Sequence, residues 1–436
     1  MKNFTLLLCT CILACGSLVA QQEKGITGYN NWLGTWTEFQ PSTVSHNEPT
    51  EILSGTITED TKLLKKNTYL LLGSVFVSDS TTLTIEPGTV IIGDFKTNGT
   101  LVISKDSKIM AEGLETDPII FTSNTTTKKQ GDWGGIFILG DAPINTFGNE
   151  AAIDYGLRPG SYDHVSYGGK NTESNSGVLR YVRIEFAGKR TVDYGYFDAL
   201  TLAGVGNQTV VENVMVSHSY GNSFNIIGGD LNLNKLISYK SSGTDYIFNN
   251  GSQCRFTNSL AIRDPYISGS NRPKCLYVAS YTEKAKVDLA KKNTSVEAEN
   301  LTLINVSQDL KNDIAIGLVK EGIYIAPDAS LTMSKSVVSG FNPAVVLDDK
   351  IYINGKNLER IKFSKMYFNN CKGNIFSKGN PNNDDLEDWY GNTIFFNVYS
   401  KGDDAETFID INNPRRPDFR LRINKIIASS NYDKED

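Results

Sequence analysis

Short apolar alternations recur along this chain at a nearly fixed spacing. Val75 and Val77, Leu83 and Ile85, and Val90 and Ile92 mark three brief strands separated by turns. Leu101 and Ile103, Ile109 and Ala111, and Ile119 and Phe121 repeat the set one round later. Ile85 and Ile103 lie 18 residues apart, and Val90 and Ile109 lie 19 apart. Alternation sends successive side chains to opposite faces, so each triplet points two residues inward and one outward. Glu86-Pro87-Gly88 and Glu112-Gly113 supply corners, where glycine is free to take positive φ. Three strands and three corners in about 20 residues describe one coil of a parallel β-helix. A single coil cannot bury its own inner face, so coils must stack.

The pattern continues with drift. Glu212–Ile226 is echoed by Asn234–Phe248 and by Thr257–Asp264, and later rounds read ENLTLINVS, LTMSKSVVSG and IKFSKMYFNN. The phase N-x-L/V-x-I/V places an Asn just before a strand, where stacked amides could form a ladder inside a corner. Dividing the span by the period gives roughly ten to twelve coils. Two stretches break it, one at 141–177 and one at about 264–296, and loops of that size on a solenoid are functional or capping. EKAKVDLAKKN (Glu283–Asn293) is the one amphipathic helical pattern of note. Residues 21–54, with Trp32 and Trp36, are expected to plug the open N-terminal end, residues 55–400 to form the β-helix, and 401–436 to close the C-terminus. A two-sheet sandwich would need hairpins, and the strong hairpin dipeptides are sparse: Asn98-Gly99 and Asn354-Gly355.

Composition narrows the function. Thirty-eight Gly among 436 residues suit turns, and 20 Phe with 20 Tyr suit a strand-built core. With 43 Lys and Arg against 49 Asp and Glu, the chain has no basic block, which sets nucleic acid aside. Residues 1–20 read as an export signal: Lys2, an apolar run, then Ala20 before Gln21. Lipidation at Cys15 is the alternative processing. Either way the protein is expected to be exported, to the outer membrane, the cell surface, the periplasm or the medium. No later stretch is apolar enough to span a membrane. Outside the signal, Cys254, Cys275 and Cys371 read as buried small residues or, for the first two, as a disulfide.

Three phrases carry a family resemblance: LTIEPGTVIIGD, GTLVISKDSKIMAEGLETDPIIFTS and GDWGGIFILGDAPIN. With SNSGVLRYVRIEFAG and the late PDFRL, they resemble secreted or lipid-anchored β-helix proteins of Gram-negative bacteria, prominent in Bacteroidetes. The resemblance implies an all-β fold, a right-handed parallel β-helix of pectin-lyase-like architecture in the cell envelope. It brings no catalytic residue set with it.

Candidate chemistry is sparse. In LRYVRIEF, Arg183 and Glu185 share one face of a strand, with Arg180 and Tyr181 adjacent and Asp193 and Asp198 further on. Arg183, Glu185 and His218 could serve a polysaccharide lyase or hydrolase acting on an acidic polymer, which needs a charge neutraliser and a base or an acidic pair. The alternative is a solvated strand face bearing an ion pair. Trp133 in GDWGG either covers a coil corner or stacks on sugar. Tyr162, His164 and Tyr167, in the first insertion, could line a sugar-binding lip, as could Tyr181. Asp384, Asp385, Glu387 and Asp388 offer the hard oxygens that hold Ca²⁺, without the spacing of an EF-hand. The favoured expectation is a non-catalytic envelope protein that binds a polysaccharide or an outer-membrane protein. A structural spacer is the third reading.

Overall fold

The computed structural model describes residues 24–267, 272–379, 383–422 and 424–425. Among them, 28 strands form one continuous parallel stack that winds as a right-handed β-helix. Three sheets run along its axis. In the first, nine successive pairings link ten rungs, from Thr61–Leu63 to Ile361–Ser364. Eleven pairings give the second sheet twelve rungs, ending at Val398–Ser400. Ten pairings give the third eleven rungs, ending at Phe376–Lys378.

Register explains why the alternation repeats. Leu179, Val211, Leu233, Phe256, Ala298, Met333 and Phe363 stand above one another on successive rungs of the first sheet, all inside. Each large apolar side chain so withdrawn from water is worth about 1.5–3 kcal/mol. Small and large residues interleave along such columns. Trp133 fits inside because Gly93 faces it, and a Cβ at Gly93 would lie 2.5 Å from the indole.

From the strand Gly177–Glu185 onward, each coil turns between the first and second sheets on one left-handed residue. Tyr181, Asn213, Lys235, Asn258, Asn300, Lys335 and Lys365 hold φ between 46° and 58° there. Asn tolerates that conformation, which accounts for the Asn phase in the sequence. The expected internal amide ladder does not run through these corners. Asn258 Oδ1 accepts from Thr27 N at 2.8 Å, and Asn300 Nδ2 donates to Gly25 O at 3.2 Å.

Those contacts belong to the N-terminal segment, which does not plug the end of the solenoid. It runs lengthwise over the outer face of the second sheet, from Gly25 N bonded to Lys335 O (2.8 Å) back to Val44 O, held by Lys128 Nζ (2.9 Å). The reason lies in the sheet. Met215, Ile237, Leu260, Val337 and Tyr367 form an apolar outer stripe, and Ile26, Leu33, Trp36 and Phe39 bury it. The C-terminal hairpin, Phe408–Asp410 with Asp418–Leu421, completes the cover through Phe408, Phe419 and Leu421. Arg420 Nη1 donates to Gly28 O at 2.8 Å, so the two terminal segments lock together.

The insertions dress the third sheet. Residues 141–177 place Ile144, Ile153, Leu157, Val165 and Tyr167 on the outer residues Phe76, Val102, Phe137 and Leu139. The second stretch is partly solenoid, because Leu276–Val278 is a rung of the third sheet. Its EKAKVDLAKKN segment holds a short 3-10 turn, Lys284–Lys286, and not the amphipathic helix. The two insertions meet: Phe147 N donates to Lys286 O at 3.1 Å and Lys291 Nζ to Thr146 O at 2.6 Å.

Candidate functional site

A groove of about 860 Å³ opens at the corner between the second and third sheets. Three loops wall it. Asp154 and Tyr155 come from the first insertion, Thr282 and Glu283 from the second, and the third wall is a hairpin within 186–199. In that hairpin Arg190–Thr191 pairs antiparallel with Gly195–Tyr196, and Tyr194 stands at its tip, 46% exposed. The next coil contributes Tyr220. Gly221 beside it packs so closely that a Cβ would lie 1.9 Å from Phe197 O, so the chain can only turn there as glycine. This close turn sets Tyr220 against Tyr196, with ring centroids 4.9 Å apart and Arg190 5.9 Å over the Tyr196 ring.

Asp198 lies at the floor, 1% exposed. Asn222 Nδ2 donates to its Oδ1 at 2.6 Å; Asn225 Nδ2 and the Tyr155 hydroxyl donate to its Oδ2 at 2.7 and 3.1 Å. Burial pushes this carboxyl above the usual carboxylate range, against the pull of those donors. The charge of Asp198 in turn raises the Tyr155 hydroxyl well above its ordinary value. Two coils on and facing inward, Asp245 pairs with Arg263 Nη1 at 3.0 Å and accepts from Ser238 Oγ at 2.5 Å. The floor is therefore a rigid polar layer, and the paired rings of Tyr196 and Tyr220 stand above it.

The residues singled out in the sequence are scattered around this groove. Arg183 and Glu185 do meet, Nε to Oε1 at 3.2 Å, but on the outer face of the second sheet under the N-terminal segment. They are 7% and 1% exposed, so the pair is a sealed contact and not a solvated face. Burial raises the Glu185 carboxyl, opposed by Arg183. The arrangement lacks His218, which packs between Phe186 and Tyr239 at 5.5 Å from each. Burial, aided by Lys240, lowers His218 to about 4. Arg180 bridges Glu112 and Glu212 on neighbouring rungs of the first sheet.

Trp133 is wholly buried inside the solenoid, its Nε1 donating to Glu185 O at 2.7 Å, so it offers no ring to sugar. Tyr167 is buried between the first insertion and the third sheet, and His164 lies against Phe76 at 5.2 Å. Tyr162 is exposed but does not line the groove, and Tyr181 is committed to Trp36 at 5.8 Å. The acidic run forms a helix, Asp384–Gly391, whose Leu386 and Tyr390 close the last rungs. Tyr390 stacks on Phe376 at 4.2 Å, and Glu387 accepts from Phe376 N at 2.8 Å. Thus Asp384, Asp385, Glu387 and Asp388 belong to an end cap. Among the described residues no three His, Cys, Asp or Glu side chains converge as a metal site. Cys254 and Cys275 are free buried thiols, not a disulfide, and Cys15 lies outside the described residues.

Of the groove residues, the sequence pointed to Asp198. A usable signal existed. From the end of the second-sheet strand to the start of the third-sheet strand is Ser217 to Phe224 in one coil, but Glu185 to Leu200 in the preceding one. That extra length is the hairpin with Tyr194 and Tyr196.

A family model described as a pectate-lyase like beta helix domain matches residues 55–405. No curated protein matches the chain. Among solved structures, full-length tailspike protein 2 from Escherichia coli O157:H7 bacteriophage CAB120 is similar at 13% identity and a TM-score of 0.22. The match covers 77% of this chain and 38% of the tailspike's length.

Proposed function

The chain belongs to the pectate-lyase like beta helix family, and on that premise we propose that it is a non-catalytic envelope protein that holds a surface polysaccharide in the tyrosine-walled groove. The observation that carries this reading is the set Tyr194, Tyr196 and Tyr220 above the polar floor of Asp198 and Asn222. Aromatic faces stack on the C–H faces of sugar rings, while accessible polar groups beside them meet the sugar hydroxyls.

Binding is favoured over hydrolysis by the state of Asp198. Both its oxygens already accept hydrogen bonds from Asn222, Asn225 and Tyr155, and the carboxyl is 1% exposed, so neither oxygen is open to a substrate. A general acid needs its proton on an oxygen aimed at the glycosidic bond. Arg183 and Glu185, the other pair suited to such chemistry, have no path to a polymer.

The test is retention of residues 21–436 on a polysaccharide panel, with new reducing and unsaturated ends read from the same tubes. Retention without new ends, weakened about tenfold by Tyr220→Ala, is the expected result. New ends that disappear in Asp198→Asn would replace binding with hydrolysis. Retention on no polymer would replace the glycan with an outer-membrane protein as partner.

A further inference from the structure

Beyond the groove, the third sheet presents a second aromatic surface on its outer face. Tyr277 and Tyr324 occupy the same column on adjacent rungs, their rings stacked at 5.6 Å and 16°. They line a cleft of about 520 Å³ together with Tyr281 and the 76% exposed Tyr352. Two of the hydroxyls are tied down. Tyr281 donates to Asp328 Oδ2 at 2.8 Å and Tyr324 to Asp348 Oδ2 at 2.6 Å. Rings fixed in this way lose little freedom when a ligand arrives, which is how a preorganised site gains affinity. The core does not require these tyrosines to be aromatic: they point out of the sheet, and inward packing belongs to Leu276, Val278, Ile323 and Ile325.

The cleft adjoins the groove. Thr282 lines both, with Glu283 on the groove side and Lys284 on the cleft side. A chain lying along the solenoid axis would therefore pass from Tyr220 over the second insertion to Tyr277, Tyr324 and Tyr352. Charge decides what kind of chain. The groove carries Asp154, Asp198 and Glu283 against Arg190; the cleft carries Asp328 and Asp348 against Lys284, Lys350 and Arg360. Five carboxyls face four cations on a protein of net charge −6. The groove is net negative and the cleft positive by one charge, so a uronate polymer, charged on every residue, would find no net compensation along the path as a whole.

We infer that the groove and the Tyr277–Tyr324 cleft are two subsites for one neutral polysaccharide chain. This rests on the glycan-binding reading of the groove and adds to it a second contact region and a ligand class. Two linked contacts raise apparent affinity for a polymer that spans both, while a short oligomer gains from only one.

The experiment measures binding of the mature chain to neutral galactomannan, xyloglucan and mixed-linkage β-glucan, to short oligosaccharides cut from each, and to polygalacturonate and alginate. Wild type should retain a neutral polymer and neither acidic one. Tyr277→Ala with Tyr324→Ala should weaken polymer binding about tenfold or more and leave the oligosaccharide unchanged. Tyr352→Ala, at an exposed site that cannot disturb folding, should reproduce part of the loss. Tyr220→Ala should weaken both ligands. Full polymer affinity in the Tyr277, Tyr324 and Tyr352 variants, with loss in Tyr220→Ala, would overturn the second subsite and leave the groove reading standing. Retention of polygalacturonate or alginate alone would overturn the neutral class, and retention of no polymer would overturn both readings.

Discussion

On the outer face of the second sheet, Arg183 and Glu185 lie sealed under the N-terminal segment; one corner away, Asp198 lies at the floor of an open groove. All three are almost completely buried. What differs is what covers them. Over the ion pair sits chain, fixed at one end by Gly25 and Thr27 and at the other by Lys128. Over Asp198 stands a gap walled by three loops. The same solenoid thus covers one outer face with its own chain and leaves the next corner open. A charged pair on a shared strand face says nothing about which of these two it belongs to, because cover comes from distant chain.

The comparison breaks most sharply at Trp36, which the segment buries wholly against Tyr181. Trp36→Ala should cost about 3–5 kcal/mol of stability, read as a large fall in melting temperature, with glycan retention at the groove unchanged below the transition. A parallel loss of retention would mean that the segment also shapes the groove. Next comes the ion pair. Arg183→Met alone strands a buried carboxylate and should cost about 3 kcal/mol or more, whereas Arg183→Met with Glu185→Leu should recover most of it. If neither variant moves the melting temperature, the pair is solvated and the face is open after all.

How much of this could be read from the sequence differs between the two regions for a physical reason. The coil repeat was legible because inward columns such as Leu179, Val211 and Leu233 impose a period on the chain itself. The left-handed corners showed through Asn213, Asn258 and Asn300, although Lys and Tyr fill the same role elsewhere. The covering segment was not legible. Ile26 is bonded 276 residues away to Thr302, and no local pattern records a contact of that span. The outward residues Met215, Ile237 and Leu260 did carry the hint, since an apolar outer position on a half-buried strand demands cover. The groove residues sit on loops, where periodicity ends, so apart from Asp198 only the long interval between Glu185 and Leu200 betrayed them.

Acid should sharpen the contrast, because two histidines lie on the covered side. His46, near Arg183 and Lys128, and His218, against Tyr239, are each lowered to about 4, chiefly by burial. At pH 7 both are neutral, folded or unfolded. As pH falls below their ordinary value near 6.5, the unfolded chain takes up protons first and stability drops until about pH 4. The unscreened bound is about 3 kcal/mol per histidine, reduced to about 1 because both keep some contact with water. The raised carboxyls of Glu185, Asp198 and Asp245 act in the opposite sense over part of that range. Comparing wild type with His46→Gln, His218→Gln removes their share. The variant should lose stability less steeply between pH 6.5 and 4, and an identical slope would mean the histidines titrate freely.

The smallest effect, and the finest discriminator, belongs to Asp198→Asn. The substitution keeps shape but turns one acceptor into a donor facing Asn222 or the Asn225 and Tyr155 pair. Burying two donors nose to nose costs about 1–2 kcal/mol, yet it also removes the desolvation that raises this carboxyl. These terms oppose each other, so the net change in melting temperature should be a few degrees at most. Tyr155 and Asn222 should lose their fixed positions, and glycan retention should fall by a fewfold while the covered face is untouched. If stability instead falls as far as in Arg183→Met, the floor of the groove is a structural keystone like the sealed pair, and the division between a face for stability and a corner for contact does not hold. If retention is unchanged, ligand contact rests on the tyrosines alone, and the polar floor only carries them.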